Sequence, residues 1–410
     1  MKGRYPQITL LGSNSGNNVG DAAILSSILE VLSEKLPEPR FYVPTVKPEF
    51  VNNRYGGRYH VTAYNIMPWN GALRFLGIPS LRCLWKSDVA LICDGIIFGK
   101  KLFNPAFNML ITLAPLAIFA KLLRCKLVCY CTGIGPFPNG AGRGLARFLI
   151  QSCDLVLMRE GESAKLTKDI GVTRDVELTG DAAYLNPVSD QNRAHQICAE
   201  LGIDPRGSLL GINATGYINS WVQEGGSSSD PEQLITSLVN GVELAKKQVS
   251  GGFTPVIFST HPMDLAITNE LSRRLAAPLV SNSTYLSHDM QSVMRLCSLF
   301  VGMRFHSLVL SSAVGVPILG FVYAPKVRGL MHSLETPQFA MEMKDITAES
   351  VAQLLTAGWT ERAEIKSKQQ IVVDRFKAGA ERAADLVVEK FFPQLKKLQP
   401  QTKSAGGAGA

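Results

Sequence analysis

The stretch "VGMRFHSLVLSSAVGVPILGFVYAPKV", residues 301–327, sets an arginine and a histidine two positions apart and a lysine twenty positions after the histidine. The apolar run before Arg304 has strand length, and "PILGFVY" is strand-like again, with helix-length sequence between them. A strand, a crossover helix and a second strand form the repeating unit of a parallel sheet. Ligands of open parallel sheets bind beyond the carboxyl ends of the strands. Arg304, His306 and Lys326 stand at or just past such ends.

Working outward, the same alternation fills the chain. "QITLLG" is strand-like, ends in "SNSGNNVGD", and leads into "AAILSSILEVLSEKL", whose apolar residues have helical spacing. "RFYVPTV", "VALICDG", "KLVCYCTGIG", "LVLMRE" and "VELTGD" continue the series. It restarts after "AYLNPVSDQNRA" with "LLGINAT", "TPVIFST", "APLVS", "LFVGM" and "PILGFVY". The expected fold is therefore α/β, with two Rossmann-like domains facing a cleft. Residues 1–190 form the first, 205–360 the second, 361–392 a C-terminal helix of mixed charge, and 393–410 a disordered tail.

A chain of 410 residues exceeds what one core usually organises, which agrees with two domains. With 46% hydrophobic and 19% charged residues it is a folded protein, not a disordered one. The net charge of +8 favours anionic partners. Nucleic acid is not the expected one, because no basic stripe interleaved with aromatics is present. The eight cysteines are scattered, several inside apolar runs, without CxxC or zinc-ligand spacing. That usage points to a reducing compartment and no structural metal. The N-terminus lacks a signal-peptide pattern, so a cytoplasmic location is expected. "PAFNMLITLAPLAIFAKLL", residues 105–123, approaches bilayer-spanning length but is interrupted by Asn108, Pro115 and Lys121. It runs straight into "KLVCYC", so a buried or partly membrane-facing crossover helix is expected rather than a span.

Two turns of the first half carry polar groups after strands. In "GNNVGD", Asp21 can cap the following helix or, from the cleft, orient or deprotonate a hydroxyl; Gly20 permits the turn and Asn18 lies beside it. In "CDGIIFGKK", Asp94 is a second carboxylate. "MREGES" places Arg159 after a strand, where it can reach a ligand or pair with Glu160 or Glu162. Asp181 of "LTGDAAY" reads as a turn or inter-domain hydrogen-bonding residue, and His261 of "STHPMD" as a capping or supplementary polar group.

The ordered set "GNNVGDAAIL", "TGIGPF", "MREGES", "LTGDAAY" and the 301–327 stretch resembles the polysaccharide pyruvyl transferase family over most of residues 8–330. The resemblance implies a GT-B-like pair of domains and transfer of pyruvate from phosphoenolpyruvate onto two hydroxyls of one sugar. It implies that Arg304, His306 and Lys326, with Arg159, face the donor, and that Asn18, Asp21 and Asp94 lie on the acceptor side. His306 and Asp21 are then the catalytic pair. The chain departs from the family pattern in having Ala324 where an aspartate usually precedes Pro-Lys, and only Gly95 and Gly99 where a glycine run is usual. The chemistry fits the residues: guanidinium groups grip carboxylate and phosphate bidentately, and an imidazole near neutrality can deliver a proton. No cofactor or metal is expected beyond the co-substrate. The expected partners are phosphoenolpyruvate and a saccharide acceptor, either a surface polysaccharide or its lipid-linked precursor, the latter met by peripheral contact at the inner face of a membrane. Two other functions share the fold: a glycosyltransferase using a nucleotide sugar, and a non-catalytic carbohydrate-binding relative.

Overall fold

The computed structural model describes residues 2–66, 78–93, 95–103, 108–216 and 230–395. Strands β1 (Gln7–Leu11), β2 (Arg40–Thr45), β3 (His60–Asn65), β4 (Val89–Ile92), β5 (Ile96–Ile97), β6 (Lys126–Ile134), β7 (Leu155–Met158) and β8 (Glu177–Leu178) build the first sheet. Its order is β3-β2-β1-β4-β6-β7-β8, with β5 paired to β6, and every pairing is parallel. Strands β9 (Leu209–Asn213), β10 (Thr254–Ser259), β11 (Leu279–Ser281), β12 (Cys297–Gly302), β13 (Ile318–Val322) and β14 (Ala340–Glu342) build the second. They are also all parallel, in the order β11-β10-β9-β12-β13-β14. In each sheet the order reverses beside the first strand, between β1 and β4 and between β9 and β12. Those switch points open a crevice at the strands' carboxyl ends.

The central strands are continuously apolar because helices cover both of their faces. Ile8, Leu10, Leu91 and Val128 on one face of the first sheet belong to a core that continues through Leu209, Phe258, Phe300 and Phe321 of the second domain. The opposite face of the first sheet has a separate core, closed by the helices Leu110–Leu122 and Gly140–Ser152. The apolar segment at 105–123 thus becomes a 13-residue helix, Leu110–Leu122, with Leu110, Leu113 and Leu116 buried and Leu122 72% exposed. Residues 104–107 lie outside the described residues. Among the described residues no helix is long and apolar enough to cross a membrane. All eight cysteines are buried free thiols.

The long helix Arg362–Phe391 leaves the second domain and packs back on the first. Glycines make that approach possible: a Cβ on Gly180 would stand 2.1 Å from the Phe376 carbonyl oxygen, and one on Gly379 2.9 Å from the Thr179 carbonyl carbon. Lys35 Nζ reaches Asp385 at 2.7 Å across the same seam. The expected disordered tail at 393–410 begins instead as a short helical turn, Pro393–Leu395, and residues 396–410 lie outside the described residues. Nearer the cleft, the Val19 amide donates to the Thr260 carbonyl at 3.1 Å. The Asn282 side chain donates to the Asn17 carbonyl at 2.7 Å, so the loop after β1 is pinned to the second domain.

Candidate active site

The loop after β1 turns into the helix Val19–Lys35 through Asn18, whose side chain accepts from the Gly20 amide at 3.0 Å. This cap satisfies one of the orphan N–H groups of the first turn, so Asp21 is not needed for it. Asn18 and Asp21 line a cleft of about 520 Å³ together with Ser13, Asn14, Ser15 and Gly95. Arg159, His306 and Lys326 close the same cleft. Five of the seven residues that the resemblance implies for the site therefore meet in one cavity, drawn from both domains. Of the other two, Asp94 lies outside the described residues.

Arg304 does not line the cleft. Its guanidinium donates from Nε and one Nη to the two carboxylate oxygens of Asp264, at 3.0 and 2.6 Å, and Asp264 is fully buried. The Arg304 amide donates to Asn213 Oδ1 at 3.0 Å, as does the Ser307 hydroxyl, while Asn213 Nδ2 is anchored on the Phe258 carbonyl. Arg304 is the N-cap position of the helix Phe305–Ala313. Its visible work is to fix the turn that presents His306. His261 caps the next segment, its Nδ1 accepting from the Met263 amide at 3.1 Å.

The centre of the site is a group of buried charges. Arg159 donates to Asp181 at 3.0 Å and also pairs with Glu160, so its neighbour in the chain and a residue from a separate motif hold it together. Asp181 sits where the chain leaves β8 and caps the turn Ala182–Leu185 by accepting from the Ala183 amide at 2.9 Å. Its second oxygen faces His306 Nε2 at 3.5 Å. Burial pushes the Asp181 carboxyl up, but His306 and Arg159 outweigh it and hold the group down at about 2. Burial pushes His306 below its ordinary value; Asp181 opposes this, while Arg159 and Lys326 add to it. His306 is thus a neutral imidazole at rest.

The ring lies against the first turn of Val19–Lys35: a Cβ on Gly20 would stand 2.0 Å from His306 Nδ1. Gly20 is there for this close approach between domains, not for the turn, since its φ is not positive. Phe305 separates the two cations, with the Arg159 guanidinium 4.5 Å and Lys326 Nζ 6.0 Å from its ring centre. Ala324 begins the helix Pro325–Ser333 without a side-chain cap, and Glu160 begins Gly161–Asp169 in the same way. Both helix N-termini border a second cavity of about 560 Å³, largely apolar, that meets the first at Arg159, Lys326 and Ile96. Uncapped N-termini and two cations at the junction favour an anion there.

Sequence reasoning missed Asp181 as a member of the site and Phe305 as the spacer. The signal for Asp181 was its place after a strand. Among the described residues no group of three or more histidine, cysteine, aspartate or glutamate side chains could hold a metal ion.

A family model for polysaccharide pyruvyl transferases matches residues 18–325. Solved structures share the two-domain GT-B fold at low identity. A UDP-GlcNAc 2-epimerase from Methanocaldococcus jannaschii is 13% identical, with TM-score 0.61, covering 94% of this chain and 99% of its own. The UDP-GlcNAc 2-epimerase from Neisseria meningitidis, solved with UDP-GlcNAc bound, is 14% identical, with TM-score 0.57 and coverage of 94% and 98%. A glycosyltransferase from Rickettsia africae is 10% identical, with TM-score 0.57 and coverage of 97% and 100%.

Proposed function

This chain belongs to the polysaccharide pyruvyl transferase family, and from that premise we propose that it moves pyruvate from phosphoenolpyruvate onto two hydroxyls of one sugar, forming a ketal and releasing phosphate. The observation that carries the reading is the convergence of Arg159, Lys326 and His306 with Asn18 and Asp21 in one cleft. Each supplies something the reaction needs.

The donor carries a carboxylate and a phosphate. Arg159 and Lys326, flanking Phe305 at the junction of the two cavities, hold those anions. His306 delivers a proton to the methylene carbon, which becomes a methyl group and leaves C2 cationic. A sugar hydroxyl attacks C2, phosphate departs, and the second hydroxyl closes the ring. Of the two hydroxyl protons released, one leaves with phosphate and the other passes to solvent, balancing the proton that His306 takes up before it protonates the methylene carbon. Asp21, in the polar cavity with Asn18, orients and deprotonates the hydroxyls. Arg304 acts through the turn that holds His306.

The acceptor is a surface polysaccharide unit or its lipid-linked precursor, met at the inner face of a membrane. The helices Ile78–Lys86 and Leu110–Leu122 pack together and leave Trp85, Ile118 and Leu122 exposed beside Lys86, Lys121 and Arg124. That mixture suits an anionic lipid surface. The test of the function is incubation with phosphoenolpyruvate and a panel of glycosides, read by mass spectrometry for the pyruvate ketal. A gain that depends on a nucleotide sugar instead would make the protein a glycosyltransferase, and no gain with any donor would favour a carbohydrate-binding relative.

A further inference from the structure

We propose that the donor loads its own acid: an anion seated against Arg159 and Lys326 brings a proton onto His306 Nδ1, and Asp181 is the positioning residue that holds the ring by Nε2. This rests on phosphoenolpyruvate being the donor.

The placement of the two ring nitrogens carries the idea. Nε2 is buried with no hydrogen-bond partner among the described residues, and the group facing it is the Asp181 carboxylate at 3.5 Å. A carboxylate can only accept, so Nε2 keeps its hydrogen and Nδ1 carries the lone pair. Nδ1 is the nitrogen turned toward Gly20 in the first turn of Val19–Lys35. The acid that protonates the donor is therefore Nδ1, and in the resting protein it has no proton to give.

Charged groups act on the ring from three elements, and a fourth borders the same cleft. Asp181 comes from the turn after β8, Arg159 from the end of β7 and Lys326 from the helix Pro325–Ser333, while Asp21 of the helix Val19–Lys35 lines the cleft with the ring. Burial keeps the ring uncharged; Asp181 opposes it, and Arg159, itself paired with Glu160 and Asp181, and Lys326 add a smaller push in the same direction as burial. A donor bearing carboxylate and phosphate offsets both cations and adds negative charge beside the ring, so that the Asp181 and donor charges together act against burial. A solvent proton then binds Nδ1 and the Asp181 contact shortens to a charge-assisted hydrogen bond. In the chemical step the C2–C3 double-bond electrons take that proton, C3 becomes a methyl group, and the ring is neutral again. Acid is available only when the donor is in place.

The experiment uses the full chain and needs no acceptor. Phosphoenolpyruvate is titrated calorimetrically at pH near 7 in buffers of different ionisation enthalpy, and histidine-labelled protein is followed by nitrogen NMR. The wild type should take up close to one proton more than His306→Asn, and the His306 Nδ1 signal should move from a lone-pair to an N–H position on saturation. Asp181→Asn should reduce that uptake by half or more. It should also lower kcat by roughly a hundredfold, within the range general acid catalysis supplies, with a change in donor affinity under tenfold. A purely structural aspartate would leave the proton count of the folded fraction unchanged. If Asp181→Asn does not fold, the wild-type NMR titration and the His306→Asn comparison still decide. Equal proton uptake in wild type and His306→Asn, with an unmoved His306 signal under saturating donor, overturns the proposal. Absence of phosphoenolpyruvate binding by both methods overturns the donor assignment, and this inference with it.

Discussion

Replacing Gly20 with alanine adds one methyl group at the point where the two domains touch. On the helix alone the change is favourable, because glycine in a helix is roughly 0.5–1 kcal/mol worse than alanine. The new carbon, however, would lie 2.0 Å from His306 Nδ1, 2.3 Å from Cγ and 2.7 Å from Cβ. Carbon contacts settle near 3.5–4.0 Å, so the imidazole must retreat by more than about 1 Å. Retreat is blocked by Asp181 at Nε2 and by Phe305, which packs edge-on at 5.2 Å between ring centres. Overpacking of this kind typically costs about 1–3 kcal/mol, partly offset by the helix gain. Net stability should fall by no more than about 2.5 kcal/mol, which leaves a folded protein. A displacement of that size at a reacting group is worth about a hundredfold in rate. Gly20→Ala should therefore melt a few degrees below wild type, bind phosphoenolpyruvate nearly as well, and turn over about a hundredfold more slowly. Denaturation and steady-state kinetics on the same preparation separate the two effects. Wild-type kcat in a folded Gly20→Ala protein would show that His306 does not work from this position.

Arg304→Ala leaves the buried Asp264 carboxylate without its bidentate partner, and the loss should be about 3–5 kcal/mol of stability, read by urea denaturation. Asp264→Asn should lower kcat through the His306 turn while changing donor affinity little; loss of donor affinity alone would return Arg304 to the anion grip. The Asp181 carboxyl, held at about 2 against an ordinary 3.8, contributes stability that is present above pH 3.8 and is lost as pH falls through about 2. His306, depressed from 6.5, removes stability as pH falls below that value. Denaturation midpoints along a pH series should thus decline below pH 6.5 and again toward pH 2, and Asp181→Asn should flatten the lower limb. On membranes, the protein should co-sediment with anionic liposomes and release as salt rises, and Trp85→Ser with Leu122→Ser should lose that binding while staying folded, since both side chains are more than 70% exposed. Binding unaltered by these changes would place the contact elsewhere.

Alternation of strand-length and helix-length apolar runs was enough to read two parallel sheets, because each buried strand has to be covered by a crossover helix. The same rule put Arg159, His306, Lys326, Asn18 and Asp21 at strand ends, and all five line the cleft. Contacts between the domains were not legible. Gly20 looks like a turn residue until the His306 ring is placed against it. Asp181 looks like a turn aspartate, and is one, but its second oxygen faces a histidine far along the chain. Arg304 looks like a free anion grip because nothing in "GMRFH" announces a buried aspartate from "STHPMD". The interrupted apolar segment, by contrast, was legible as a crossover helix rather than a span, and it forms the 13-residue helix Leu110–Leu122 with one buried face.

The central claim is the fate of the donor's C2 carbon. Phosphoenolpyruvate labelled with carbon-13 at C2, incubated with the protein and a saccharide fraction, can be followed by NMR alongside phosphate release. A labelled quaternary ketal carbon bonded to two sugar oxygens, appearing in step with phosphate and absent with His306→Ala, is the predicted result. Label that remains in phosphoenolpyruvate or passes only to free pyruvate, while a nucleotide sugar is consumed, would contradict it.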